Sequence, residues 1–147
     1  MENSALLTEL ERSFTEKNYQ TWLGVRLVRH KPGFVHLELP VRPEFLNTLG
    51  TVHGGFLANL ADSALCSAIL SELPPGITCS SIEIKVNYLL PVRGNILRAD
   101  ASVIRRGKNI GVSRAELFAP DGALAAVATG TFMIQSLSSF SCLPRVD

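Results

Sequence analysis

The sequence predicts an α+β layer architecture, one buried helix laid against one antiparallel sheet. Three observations lead there. From Phe56 to Leu70 nearly every residue is apolar or small, and a helix that is apolar all round has to be enclosed by other structure. The segments after Pro74-Pro75-Gly76 alternate apolar and polar residues, as strands with one buried face do. The turns joining those segments are short, which makes consecutive strands antiparallel neighbours. At about fifteen residues the apolar helix is too short to cross a bilayer. The 147 residues suit a single domain spanning 1–147, with 1–22 a helical extension at its start and 135–147 a loosely held tail.

In chain order, residues 3–17 read as an amphipathic helix, with Leu6, Leu7, Leu10 and Phe14 at helical spacing and Glu9, Glu11, Arg12 and Lys17 between them. Tyr19 to Gly24 reads as a connection, with the lone Trp22 as a packing residue. Two strands, 25–30 and 33–41, flank the Lys31-Pro32-Gly33 turn. In the second, Val35, Leu37, Leu39 and Val41 face one way. Phe34, His36 and Glu38 face the other, which makes His36 a polar-face residue with little claim to catalysis. Pro40 and Pro43 end this strand. Residues 43–52 approach the central helix, and Glu72-Leu73-Pro74-Pro75-Gly76 stops it.

Beyond that stop, Ile82, Ile84, Val86, Tyr88 and Leu90 alternate with Glu83, Lys85 and Asn87, and Leu97, Ala99, Ala101 and Val103 alternate with Arg98, Asp100 and Ser102. Pro91-Val92-Arg93-Gly94, the basic run Arg105-Arg106-Gly107-Lys108-Asn109 and Pro120-Asp121-Gly122 are the turns. Strands are expected over 110–118 and 123–134. The last carries Ala126, Ala128 and Gly130 on one face, small enough for the helix to lie close against it. The Ser-rich stretch from Gln135, with Ser136, Ser138, Ser139 and Ser141, reads as the loose tail.

Composition narrows the function classes. A formal net charge of +1 gives no support to a nucleic-acid partner, and residues 1–22 are too short for an added helix-turn-helix. No run reads as a membrane segment or a signal peptide, so a cytoplasmic protein without membrane attachment is expected. Hydrophobic residues make up 46% of the chain and charged ones 18%, a balance that favours an oligomer burying further surface. Cys66, Cys79 and Cys142 have no metal-ligand spacing and read as free thiols. No metal or other cofactor is expected. There is no Gly-x-Ser-x-Gly elbow, and the histidines are His30, His36 and His53.

Two features of the central helix invite chemistry. His53-Gly54-Gly55 places two residues without side chains at its first turn, where backbone N–H groups lack intrahelical partners and the helix dipole is positive. Asp62 lies in the middle of the apolar run, where a carboxylate must be paired or kept for chemistry. The structural alternatives are a capping role for His53 and a bond from Asp62 to Ser63 or to a neighbouring strand. Asp62 lies eight positions after Gly54, about 12 Å along a helix. If both act on one carbonyl, one of them comes from a second subunit whose helix runs antiparallel. Asn47 reads as a turn residue, Ser80 and Ser81 as a strand start, and Arg105, Arg106 and Lys108 as turn charges able to hold phosphate.

Taken together, Asn47, His53-Gly54-Gly55 and Leu60-Ala61-Asp62-Ser63-Ala64 resemble the signature of hotdog-fold acyl-CoA thioesterases, nearest to the PaaI type and its mammalian relatives. The resemblance spans roughly 20–134 and implies a curved antiparallel sheet wrapped around one long central helix, in homodimers or dimer-of-dimers tetramers. It implies that the Gly54 N–H polarises the thioester carbonyl, with Gly55 beside it. Asn47 helps place that group and His53 shapes the same corner. Asp62 of the facing subunit activates water or attacks directly, and Ser81 orients the water, with Ser80 one residue away. Arg105, Arg106, Gly107 and Lys108 meet the nucleotide end of CoA. Asp at position 62, where hydroxynaphthoyl-CoA thioesterases typically carry Glu, favours the PaaI type. The implied activity is hydrolysis of an acyl- or aryl-CoA thioester. The competing readings are a non-enzymatic acyl-CoA binding module and a thioesterase acting on acyl carrier protein.

Overall fold

The computed structural model describes residues 8–140. Their order is α1 (Glu9–Thr15), α2 (Tyr19–Leu23), β1 (Arg26–Lys31), β2 (Phe34–Pro40), α3 (Gly54–Leu70), β3 (Ile77–Tyr88), β4 (Ile96–Arg106), β5 (Ile110–Phe118) and β6 (Leu124–Ser136). Short 3-10 turns occupy Pro43–Phe45 and Leu137–Phe140. The strands form one six-stranded sheet in the order β1-β2-β4-β5-β6-β3, antiparallel at every pairing. The helix α3 carries the chain across the sheet, from the β1–β2 side to β3 at the opposite edge. It packs against β2, β3, β4, β5 and β6 on the way.

Period-two alternation builds this arrangement. Val35, Leu37 and Leu39 on β2, Leu97 on β4, Leu117 on β5 and Phe132 on β6 are fully buried with Leu60, Leu65 and Ile69 of α3. Each such side chain contributes about 1.5–3 kcal/mol through burial. Small residues set the approach of α3 to β6. Ala126 and Ala128 are buried, and a Cβ on Gly130 would stand 3.2 Å from Leu65 Cδ1 and 2.9 Å from a Phe132 ring carbon. The buried Ser113 hydroxyl on β5 donates to the Leu65 carbonyl of α3 at 3.0 Å, so this polar group is satisfied inside the core.

The structure corrects the sequence reading in several places. Tyr19–Leu23 is a helical turn rather than a connection, because Asn18 caps it at Gln20 and Thr21 and Gly24 ends it at φ +92°. Trp22 is 69% exposed in this chain and lies under the Arg42 guanidinium, so it does not pack in the core. The first helix begins at Glu9, after a Thr8–Glu11 capping box. The part of the expected helix before Thr8, with Leu6 and Leu7, lies outside the described residues, as do Ser141 and Cys142. At the other end β6 runs on through Gln135 and Ser136. The Leu137 N–H then bonds the Gly76 carbonyl.

The largest difference concerns α3. The sheet does not enclose it. Gly55, Ala58, Asn59, Asp62 and Cys66 form a stripe along one side that is at most partly buried, and this stripe flanks the unpaired edge of β3.

Gly130→Val puts branched atoms where Leu65, Ile84 and Phe132 already meet. The variant is expected to lose about 1–3 kcal/mol of stability, read as a lowered thermal midpoint with the far-UV spectrum unchanged.

Candidate active site

The first turn of α3 is organised by its own N-cap. His53 adopts an extended conformation, and its Nδ1 accepts the Gly55 N–H at 2.9 Å. That assigns the neutral ring with its proton on Nε2. The Phe56 N–H bonds the His53 carbonyl at 2.9 Å. Among the first three donors of the helix, the Gly54 N–H has no partner among the described residues.

The approach loop holds this turn in place. His53 donates its N–H to the Phe45 carbonyl, and Leu46 bridges to Val52. Asn47 closes the intervening turn: its Oδ1 accepts from Leu49 and Thr51, and its Nδ2 donates to Thr51 Oγ1 at 2.8 Å. One Asn47 Nδ2 hydrogen is left over. The Val52 N–H bonds the Val92 carbonyl, which ties the loop to the segment after β3. Between them lies an apolar cleft of about 350 Å³ lined by Val52, Gly54, Leu57, Tyr88 and the 89–92 segment.

Asp62 sits at mid-helix on the uncovered stripe, only partly buried. Its Oδ1 accepts the Ser81 hydroxyl at 2.8 Å. That contact depends on a β-bulge. The β3–β6 register jumps between Ser81 and Glu83, which leaves Ile82 as an extra residue, 52% exposed. Without the bulge, strict alternation would put Ser81 on the side of Glu83 and Lys85, away from Ile84 and Val86. The bulge reverses the parity and turns Ser81 onto α3. Ser80 points elsewhere and accepts from Gln135 Nε2. Ser63, the other suggested partner of Asp62, bonds Gln20 of α2 instead.

One turn further along, Cys66 Sγ lies 3.4 Å from Cys79 Sγ, and both thiols are free. Contact with Cys79, burial and the neighbouring Asp62 charge push the Cys66 thiol well above the ordinary range. It stays protonated and is a poor nucleophile.

The basic run sits at the opposite end of α3; Arg105 and Arg106 are the last residues of β4, paired with Val112 and Gly111, rather than turn residues, and only Gly107 to Asn109 form the turn. Arg106 Nε is 3.0 Å from Oε2 of Glu72, just past the helix C-terminus. Gly107 bonds Ile110 across the hairpin, beside Arg105 and Lys108. His36 lies on the outer face of β2, 2.5 Å from Asp100 on β4, in a network with Glu38, Arg26 and Arg98 that is remote from α3.

One chain therefore presents the expected groups in three places along α3. Asn47, His53, Gly54 and Gly55 are at its start, Asp62 with Ser81 is about 12 Å on, and Arg105 to Lys108 are about 12 Å further. The sequence reading missed Tyr88, whose ring lies against Gly54 and whose hydroxyl bonds the Gly54 carbonyl. Alternation marked it only as an apolar-face strand residue. Among the described residues no helix is long and apolar enough to cross a membrane, and no cluster of metal-ligating side chains is present.

Residues 49–126 match the family model of the thioesterase superfamily. Human acyl-coenzyme A thioesterase 13 is 31% identical over 116 residues, covering 76% of this chain and 81% of that one. The PaaI protein from the phenylacetic acid degradation operon of E. coli superposes with a TM-score of 0.72 at 27% identity, over 78% of this chain and 81% of that one. The BH2602 protein of Bacillus halodurans, solved with CoA, superposes with a TM-score of 0.66 at 33% identity, over 68% and 66% of the two chains. Fold, helix-start signature and relatives agree: the chain belongs to the thioesterase superfamily, as a thioester hydrolase of the PaaI-type hotdog fold.

Proposed function

We propose that this protein hydrolyses acyl- or aryl-CoA thioesters, as one catalytic domain, in sites shared between two copies of the chain. The observation that carries the reading is the division of the chemistry along α3. A partnerless Gly54 N–H and an Asp62–Ser81 pair lie about 12 Å apart on one helix, beside a stripe that the sheet leaves uncovered. A two-fold axis through Ala58, midway between them, brings each Gly54 against Asp62 of the partner subunit. Gly55 and Ala58 are small enough for two helices to approach closely along that stripe. The free edge of β3, twelve residues long, runs alongside and invites pairing with its copy. The same axis sets the Arg105–Lys108 run at the end of each β4 beyond the partner's helix start, where phosphates of CoA would extend.

In this arrangement the thioester oxygen accepts the Gly54 N–H at the positive end of α3, which favours the charge that builds there as the carbonyl carbon becomes tetrahedral. Asp62 of the partner subunit takes the proton of a water while the water oxygen attacks. The C–S bond then breaks, and CoA leaves as a thiolate that needs little help from an acid. The Ser81 bond holds one carboxylate oxygen, so the other is presented in a defined direction. In the competing route Asp62 itself attacks and water resolves the anhydride; a single turnover in heavy-oxygen water separates the two. The acyl group occupies the apolar cleft beside Gly54. The relative named as an acyl-coenzyme A thioesterase and the neighbour solved with CoA support the substrate class.

Free thiol release from a panel of CoA esters tests the reading. Asp62→Asn is expected to lower kcat about 10²–10⁴-fold. Gly54→Pro removes the N–H at a position where proline starts helices well, and is expected to lower kcat about 10²–10³-fold with the fold intact. CoA esters bound but never hydrolysed by the wild type would make this a binding module. Turnover confined to carrier-protein thioesters would move the substrate to that class. In sedimentation the active protein should be a dimer or a dimer of dimers; a fully active monomer would contradict the shared site.

A further inference from the structure

The two glycines at the start of α3 raise a physical problem. Gly-Gly has the greatest backbone freedom of any dipeptide, yet an oxyanion donor works only when held still before the reaction begins. The structure contains two contacts that restrain this pair. The peptide between Gly54 and Gly55 is gripped at both ends. Its N–H, from Gly55, donates to His53 Nδ1 at 2.9 Å, and its carbonyl, from Gly54, accepts the Tyr88 hydroxyl at 3.1 Å. Each grip also leaves little room for a side chain on its glycine. A Cβ on Gly55 would stand 3.0 Å from His53 Nδ1, and a Cβ on Gly54 would stand 3.3 Å from Tyr88 Cε1 and 3.4 Å from Tyr88 Cζ.

We infer that Tyr88 is a positioning residue for thioester hydrolysis, acting through the Gly54 backbone. The inference rests on the reading above, in which the Gly54 N–H receives the thioester oxygen. The Gly54 carbonyl already opens the ladder of α3, and the Tyr88 hydroxyl adds a hold from outside the helix, so the Gly54–Gly55 peptide plane, and with it the ψ torsion of Gly54, is fixed from two directions. Because Gly55 is already bonded to His53, the clamp also leaves Gly54 as the donor without a partner. Tyr88 reaches this corner because it is the last residue of β3, with the Leu89 N–H bonded to the Ala125 carbonyl just beyond it. The ring is 54% exposed and walls the cleft beside Gly54, so core packing does not explain the contact. The bulge at Ile82 matters here as well. Tyr88 shares the parity of Ile84 and Val86, while Ser81, on the other side of the bulge, faces the same helix from an odd position. One strand thus supplies a support for Asp62 and a support for Gly54.

Tyr88→Phe keeps the ring and removes the hydroxyl. With the wild type turning over a CoA ester, the variant is expected to lose about tenfold in kcat with KM changed less than about twofold, because the lost contact acts on the transition state rather than on binding. Backbone amide exchange at Gly55 is expected to quicken in the same variant. Gly54→Ala keeps the N–H but crowds the ring, and should also lower kcat. If the two residues act through one contact, the double variant falls no further than the worse single variant. An unchanged kcat and unchanged Gly55 exchange in Tyr88→Phe would overturn the inference, as would fully additive losses. A wild type that hydrolyses no thioester is a different outcome, the failure of the functional reading itself, and is read from the wild type alone.

Discussion

A helix with apolar residues on every side has to be covered on every side, and one six-stranded sheet is too small a wrapper for α3. Much of the architecture follows from that constraint. The sheet takes the Leu60, Leu65 and Ile69 side of the helix into a continuous core with β2, β4, β5 and β6. Alanines and Gly130 on β6 let the helix settle close. The remaining stripe, Gly55, Ala58, Asn59, Asp62 and Cys66, is left beside an unpaired strand edge. A hydrophobic helix half-wrapped by its own sheet leaves a surface suited to a second copy, and the groups with chemical potential lie on the part left open.

The open side is not a neutral apolar seam. Two bridges join α3 to β3 along it, Asp62 to Ser81 and, one turn on, Cys66 to Cys79. Both depend on β3 presenting odd-numbered residues to the helix before the bulge and even-numbered ones after it. A single inserted residue therefore determines whether the carboxylate meets a hydroxyl donor or faces solvent alone. This is a common use of a bulge, the re-aiming of one side chain without disturbing the remainder of the ladder. At the helix start the same economy appears in the glycines, each crowded, were it to carry a Cβ, by the side chain that holds it.

Most of this fold was legible in the chain because burial writes itself as periodicity. The strand from Phe34 to Pro40 lies where alternation put it, β5 fills the expected 110–118, and the apolar run announced α3. Asn47 and His53 read as a turn residue and a cap, and both hydrogen-bond as such. What was hidden depends on tertiary context. The α2 turn is five residues long, too short for any period to register, although Asn18 and Gly24 carried its start and stop. The bulge at Ile82 falls inside a run that alternates cleanly from Ile82 to Leu90, so nothing local marked the reversal. Tyr88 matters through Gly54, thirty-four positions away along the chain, and no spacing rule links two such residues.

The central claim is that each catalytic site takes Gly54 from one chain and Asp62 from another. Complementation measures it directly. Gly54→Pro and Asp62→Asn are each expected to be nearly inactive alone. Mixed, dissociated and reassociated, they form heterodimers in which one site has lost both groups and the other keeps both. Random reassociation then restores about a quarter of the wild-type sites for a two-fold dimer. Recovery of thioesterase activity to that level is the predicted result. Mixed dimers demonstrably formed, with activity no higher than that of the separate variants, would place both groups in the same chain's site and contradict the account.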